Sequence, residues 1–306
     1  MTKTLFALAG AAGLVLAWSP ALASPKAFET PEAAVAAVIS ALEAHDRDAL
    51  LEVFGPENED VIVAGDPERD SEDRDDFLAA YNEMNRVSVA EDGSATLYIG
   101  REQWPFPIRL TKGEAGWTFD VEAGREEMLE RRIGRNELDV IEALRAYVKV
   151  QARFRQTDYD NDGVMEFAAH IISTPGTRDG LYWPPEDGAP ESPIGDAVAE
   201  AAAQGYVIDG EAREPEPYLG YYFELLQKQG ENAPGGAFDY MVNGNMVAGH
   251  AMLAFPSDYG QTGIMTFLVG ENGIIYEADL GDNTIETASA IQAYDLGEEW
   301  TPLEPD

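Results

Sequence analysis

One stretch constrains this chain more than any other: EEMLERRIGRNELDVIEALRAYVKVQARFRQTDYDNDGVMEF, from Glu126 to Phe167. Ile141, Leu144, Val148 and Ala152 recur at three- and four-residue spacing, and Leu138, Tyr147 and Phe154 broaden the same face. The spacing predicts a long amphipathic helix after a polar start. An Asp-rich turn follows, then a second helix from about Met165 to Ile172. A helix of this kind must lay its apolar stripe on something, and sequence of domain size lies on both sides of it. The 306 residues agree with two domains at about 150 residues each. The expected division is a leader over 1–23, one α+β domain over 24–130 and a second over 131–306.

The leader reads as a secretory signal. Lys3 supplies positive charge, Leu5 to Ala17 an apolar run too short to span a bilayer, and Ala21-Leu22-Ala23 a small-residue cleavage site before Ser24. No later stretch approaches the roughly 18 apolar residues of a membrane span. The mature protein is therefore expected to be periplasmic or secreted. Cysteine is absent, which excludes disulfides, thiol nucleophiles and zinc–thiolate sites. A formal charge of −37 makes nucleic acid and anionic membranes poor partners and favours cations and basic proteins.

In the first half, Thr30-Pro31 places a capping hydroxyl before a proline suited to the first helical position. That helix runs to about Ala44, a short one holds Leu50, Leu51 and Phe54, and a third carries Phe77, Leu78, Tyr81 and Met84. Between the last two, Gly65–Asp76 reads as a charge-dense loop. The period then changes to two. Arg86–Val89 and Ala95–Ile99 flank Asp92-Gly93, and Phe106–Thr111 and Trp117–Val121 flank Glu114-Ala115-Gly116, predicting two hairpins. Three helices followed by an antiparallel sheet, closed by GWTFDVEAGREEM, resemble the nuclear-transport-factor-2-like or cystatin-like cone fold. The resemblance implies a curved sheet and a pocket that would hold acid/base pairs; here its strands offer Trp104, Trp117 and Asp120, with no histidine.

In the second half, a helix is expected around Asp196–Ala203 and a strand over Tyr221–Gln227. Hairpins are expected at Asn243-Gly244 and Asn272-Gly273, with the strand after Gly244 running on into Ala251–Phe255. The long helix, GYYFELL and MLAFPSDYGQTGIMTFLVGENGIIYEADLG resemble the globular part of type IV pilin-like proteins and pseudopilins. A departure is that the helix is internal and bears Arg and Glu, unlike the apolar N-terminal helix of a pilin. Across nearly the whole chain, FETPEAAVAAVISAL, LLEVFGPE, WPFPIRL, ERRIGRNEL, STPGTRDGLYWP, SPIG, PGGAFDYMVNGNMV and YGQTGIMTFLV resemble the bacterial family called domain of unknown function 2950. That resemblance implies no particular reaction.

Three places are chemically informative. Asp158, Asp160, Asp162, Gly163 and Glu166 form D-x-D-x-D-G-x-x-E, which suits a hard cation such as calcium. The twelfth loop position is Ala169, so the loop is not an EF-hand; the other reading is a solvated turn. Arg125, Arg131, Arg132 and Arg135 stand beside Asn136 and Glu137, as an interdomain clamp or a contact for an anionic ligand or partner. Arg178, Asp179, Tyr182 and Trp183 lie in a long loop, where they either recognise a partner or pin the loop down. His45, His170 and His250 share no ligand or triad spacing, and no G-x-S-x-G, Walker or H-E-x-x-H motif is present, so no catalytic residue is assigned. The expectation is a non-catalytic envelope protein that binds another envelope or secretion protein. The alternatives are a hydrolase, isomerase or small-ligand site in the cone pocket, and a calcium-dependent binding module.

Overall fold

Asp120 decides where the first half ends. Its side chain accepts the Ala123 N–H at 3.2 Å, an N-cap that turns the chain out of a strand and into helix. The computed structural model describes residues 25–62, 67–185, 190–195, 199, 202, 206–208 and 211–304. The expected leader, most of the expected 196–203 helix and residues 65–66 of the expected loop lie outside them. The fold is α+β, and the chain divides into two units, 1–128 and 129–306.

In the first unit, α1 (Pro31–Glu43) is capped by Thr30, whose hydroxyl accepts the Ala33 N–H. Helices α2 (Arg47–Phe54), α3 (Glu59–Ile62) and α4 (Pro67–Glu83) follow. The segment read as a loop to Asp76 is the first half of α4. It carries almost no apolar residue because residues 70–76 face mostly solvent, with Arg74 donating to Ser71 at i−3. Phe77, Leu78 and Tyr81 pack on the core.

Strands β1 (Asn85–Val89), β2 (Ala95–Ile99), β4 (Leu110–Gly113) and β5 (Gly116–Phe119) form an antiparallel sheet in that order, with β3 (Trp104–Pro105) beside β2. The second hairpin is tighter and later than its sequence suggests. Gly113 pairs with Gly116 across Glu114-Ala115, and β5 stops at Phe119 because Asp120 begins the next helix. Phe28 exchanges backbone bonds with Trp117 at 2.8 and 2.7 Å. Gly116 is required there: its φ is +130°, and a Cβ would strike the Phe28 carbonyl.

Helix α5 (Val121–Phe154) is longer than the periodic stretch that announced it. In the second unit its buried face is Val140, Leu144, Tyr147 and Phe154; Leu138, 66% exposed, and Ala152, also exposed, do not belong to it. This face packs on one side of a five-stranded antiparallel sheet. The order is β10 (Tyr221–Leu226), β15 (Ala251–Pro256), β16 (Met265–Gly270), β17 (Ile275–Asp279) and β18 (Thr301–Pro302). The opposite side is covered by Phe167, Met246, Ala288 of helix α6 (Thr284–Ser289), Tyr294 and Trp300.

The helix expected over Met165–Ile172 does not form. Phe167 bridges Met246, and β6 (His170–Ile172) pairs in parallel with β7 (Gly180–Tyr182). Phe167, Ala168, Ala169 and Ile171 are buried, and a short run buried throughout satisfies a strand as well as a helix. Gln151 settles the choice. Fully buried, it takes the Ala168 N–H on Oε1 at 2.9 Å and gives Nε2 to the Ala168 carbonyl at 3.0 Å, acting as a neighbouring strand would.

The remaining elements are short pairs: β8 (Tyr206–Ile208) with β9 (Glu211–Arg213), β11 (Lys228–Gln229) with β12 (Phe238–Asp239), and β13 (Met241–Val242) with β14 (Asn245–Met246). The last is the Asn243-Gly244 hairpin, both residues at positive φ as a type I′ turn requires. Its second strand ends at Met246 rather than running into β15.

Candidate functional site

Asp158, Asp160 and Asp162 do converge. Each offers a carboxylate oxygen within 4.8 Å of the others, and positive φ at Asn161 and Gly163 bends the loop to allow it. The turn is partly held by its own backbone: Gly163 N–H donates to Asp158 Oδ2 at 3.0 Å, and Val164 N–H to Asp162 Oδ1 at 2.7 Å. Asp158 Oδ1 is sealed from solvent and has no hydrogen-bond partner. Burial opposes ionisation of Asp158, but the Gly163 N–H and its other hydrogen bonds outweigh it and hold the carboxyl below its ordinary value. Three oxygen donors of this kind suit calcium chemically. Glu166 stands outside the trio and accepts the Met246 N–H at 3.1 Å. Burial, then the charges of Asp160, Asp162 and Asp179, push its carboxyl up.

The arginine-rich stretch divides. Arg125 forks onto Asp60 and reaches Asn58 at 2.9 Å, both in the first unit. Arg131 is engaged in an interaction, and Arg132 and Arg135 are exposed. Their neighbours hold α5 to the second unit: Asn136 donates to the Thr262 carbonyl at 2.8 Å, and Glu137 accepts the N–H groups of Ile264 and Met265, each at 2.9 Å.

The 178–183 segment is pinned. Tyr182 and Trp183 are each 5% exposed, and the indole N–H donates to the Pro190 carbonyl at 2.9 Å. Arg178 lies 5.9 Å from the Trp183 ring. Asp179 closes its own turn by accepting from Thr174 and Thr177. Burial opposes its ionisation, yet those bonds and nearby His170 keep its carboxyl low. His170 Nε2 stands 3.8 Å from Asp179, too far for a hydrogen bond. His250 is 1% exposed and shares Nδ1 with the Tyr147 hydroxyl at 3.0 Å. Burial, then Arg155, lowers its pKa to about 4. In the first unit Trp104 is exposed, Trp117 is buried and Asp120 is a helix cap.

The feature that sequence reasoning missed is a groove of about 540 Å³ in the second unit. Its walls are Ala169–Ile172 along β6 and Phe223–Lys228 along β10, with Asp239, Met241 and Gln292. Both walls are strand edges. Tyr221 exchanges its backbone bonds with Tyr218, at 3.0 and 2.9 Å, away from β15. Alternation along an antiparallel strand turns the N–H and C=O of Phe223 and Leu225 the same way. Phe223 bridges Ala202 on that side; Leu225 has no backbone partner there among the described residues. Opposite, Ser173 N–H donates to Tyr182 O at 2.8 Å and Ile172 is in register with Tyr182. In a parallel pair of that phase, the polar groups of Ile172 turn away from β7. Gln227 links the walls, donating from Nε2 to the Ala169 carbonyl at 2.8 Å.

Among the described residues, four of the ten exposed large hydrophobic side chains, Val164, Met165, Phe238 and Val242, fall in two segments. The Glu166–Met246 and Asn245–Asp162 hydrogen bonds tie those segments together, concentrating apolar surface on that part of the unit.

Comparison with known proteins then places the chain. A family model described as protein of unknown function DUF2950 matches residues 25–303, and the chain belongs to that family. Neither a curated protein nor a solved structure matches it.

Proposed function

We propose that this is an exported, non-catalytic protein that works in the periplasm or outside the cell by binding an extended segment of an envelope or secretion protein. The observation that carries the reading is the β6–β10 groove. An open strand edge offers a partner main-chain hydrogen bonds, and flanking pockets select its alternate side chains. The Leu5–Ala17 run and the Ala21-Leu22-Ala23 site supply the route of export, and the helix-plus-meander layout of the second unit keeps the pilin-like reading as its architectural model. Leu225→Pro tests the groove cleanly. It removes an outward-facing N–H that takes no part in the ladder with β15, the position where an edge strand tolerates proline.

The experiment places a photo-cross-linking residue at Lys228 in the groove, or at exposed Glu91 in the first unit as control, and captures partners in the native envelope. One partner captured from position 228, absent from position 91 and lost in Leu225→Pro, is the expected result. Equal capture from both positions, or capture that persists in the proline variant, refutes the groove. A second reading rests on the convergence of Asp158, Asp160 and Asp162: the protein binds calcium there, and Asn245, which donates to Asp162 at 2.5 Å, links that loop to the β13–β14 hairpin.

A further inference from the structure

A second cavity, of about 350 Å³, lies in the same unit beyond the stretch Phe238–Met241. Asp239 and Met241 line the groove described above, whereas Phe238 and Tyr240 line this cavity with Gln229, Pro234, Glu271 and Tyr294. Its aromatic wall is held by packing. The Phe238 and Tyr240 rings meet edge to face at 5.7 Å. Glycine makes room for two rings, since a Cβ at Gly249 would come within 2.9 Å of Tyr240 and one at Gly270 within 3.1 Å of Tyr294.

The polar groups are unequally committed. Gln229 is fully used: Nε2 donates to the carbonyls of Pro234 and Gly236 at 2.8 and 2.7 Å, and Oε1 accepts the Tyr240 hydroxyl at 3.2 Å. Tyr294, 3% exposed, has its hydroxyl sealed from solvent with no hydrogen-bond partner. Asn272 is the side chain that bears on that hydroxyl, and its own Oδ1 accepts the Ile274 N–H at 3.0 Å.

The chemistry of the walls says which guest. Aromatic faces attract cations. Glu271, about half exposed, adds a carboxylate whose only ion-pair partner among the described residues is Arg155 at 3.8 Å, a pair too long and too solvated to hold it. Arg155 is itself engaged by the Phe167 ring, 4.4 Å away. Among the described residues no lysine, arginine or histidine lines the cavity, and the net charge of the chain draws cations to it. We propose that this cavity binds an alkylammonium group of lysine side-chain size, with its charge set against the aromatic wall and its N–H groups donated to Glu271. Either a lysine on a polypeptide or a free diamine presents that group.

Ligand-observed NMR titration of the mature chain tests it, with Nα-acetyl-lysine amide, its neutral analogue Nα-acetyl-norleucine amide, and cadaverine as probes. The lysine probe is expected to bind about tenfold more tightly than the norleucine probe. Glu271→Gln is expected to weaken it about threefold or more. Leu225→Pro should leave this binding unchanged, which separates the cavity from the groove. Tighter binding of cadaverine than of the lysine probe supports the site and assigns it to free amines. Equal binding of the lysine and norleucine probes, no change in Glu271→Gln, or no binding at about 20 mM overturns the proposal.

Discussion

Replacing Gln151 by leucine should unfold the second unit more readily than almost any other single change of similar volume. Gln151 and Ala168 are both fully buried. The two carboxamide bonds to the Ala168 backbone, at 2.9 and 3.0 Å, are what turn the Phe167–Ile172 run into extended chain. Leucine fills the space but leaves one N–H and one C=O in the core without partners. Each stranded group costs about 1–3 kcal/mol, so the loss is about 2–6 kcal/mol. For a unit of this size each kcal/mol moves Tm by roughly 2–4 °C, giving a fall of about 4–24 °C.

Gln151→Glu is the discriminating companion. At neutral pH its carboxylate can still accept the Ala168 N–H but faces the Ala168 carbonyl with no donor, and a buried carboxylate is costly. Protonation restores that donor. The folded-state pKa of the introduced carboxyl is therefore raised, so the stability of this variant relative to wild type should recover as pH falls. Thermal unfolding of both variants, followed by circular dichroism from pH 5 to 8, reads the effect. A Tm loss under about 2 °C for Gln151→Leu, or a Gln151→Glu deficit that ignores pH, would refute the reasoning.

Three further outcomes are expected. His250 has a folded pKa near 4 because burial, then Arg155, disfavours its charge. Depressed below its unfolded value near 6.5, it contributes stability above that pH that is lost as pH falls toward 4, about 3 kcal/mol in all. The raised carboxyl of Glu166 works in the opposite direction, and a His250→Gln variant whose Tm against pH shows an unchanged slope would contradict the His250 assignment. Gly116→Ala forces a side chain into positive φ and onto the Phe28 carbonyl, so it should cost the first unit about 2 kcal/mol or more. Chemical denaturation showing under about 0.5 kcal/mol lost would count against that contact. Millimolar calcium should raise Tm by several degrees, in line with about 2.7 kcal/mol at 100-fold saturation; chelator should reverse the rise and Asp160→Asn abolish it, and an unchanged Tm would remove the metal reading.

What was legible in the sequence was local. Thr30-Pro31 marks a helix start through one hydroxyl and one ring. Asp92-Gly93, Asn243-Gly244 and Asn272-Gly273 mark turns because few other residues accept the backbone angles involved. The apolar stripe of α5 was visible, though Leu138 shows that spacing alone does not say where a stripe begins. The failures arose where a distant partner decides. Phe167–Ile172 is ambiguous until Gln151 and the 180–182 segment are placed beside it. Asp120 reads as part of an alternating strand until its carboxylate is seen to cap α5. The groove was invisible because it is made of backbone edges, and no side-chain motif encodes which strand edges meet. The aromatic cavity draws Phe238, Tyr240, Glu271 and Tyr294 from distant positions, and sequence alone gave no reason to group them.

The open edge of β10 is the claim on which the functional account stands, and residue-resolved amide hydrogen exchange of the isolated protein tests it directly. The account predicts slow exchange for Glu224 and Leu226, whose N–H groups enter the β15 ladder, and markedly faster exchange for Leu225, with protection appearing at Leu225 once the captured partner is added. Leu225 protected as strongly as its neighbours in the free protein would mean that the edge is already closed, and would contradict the account.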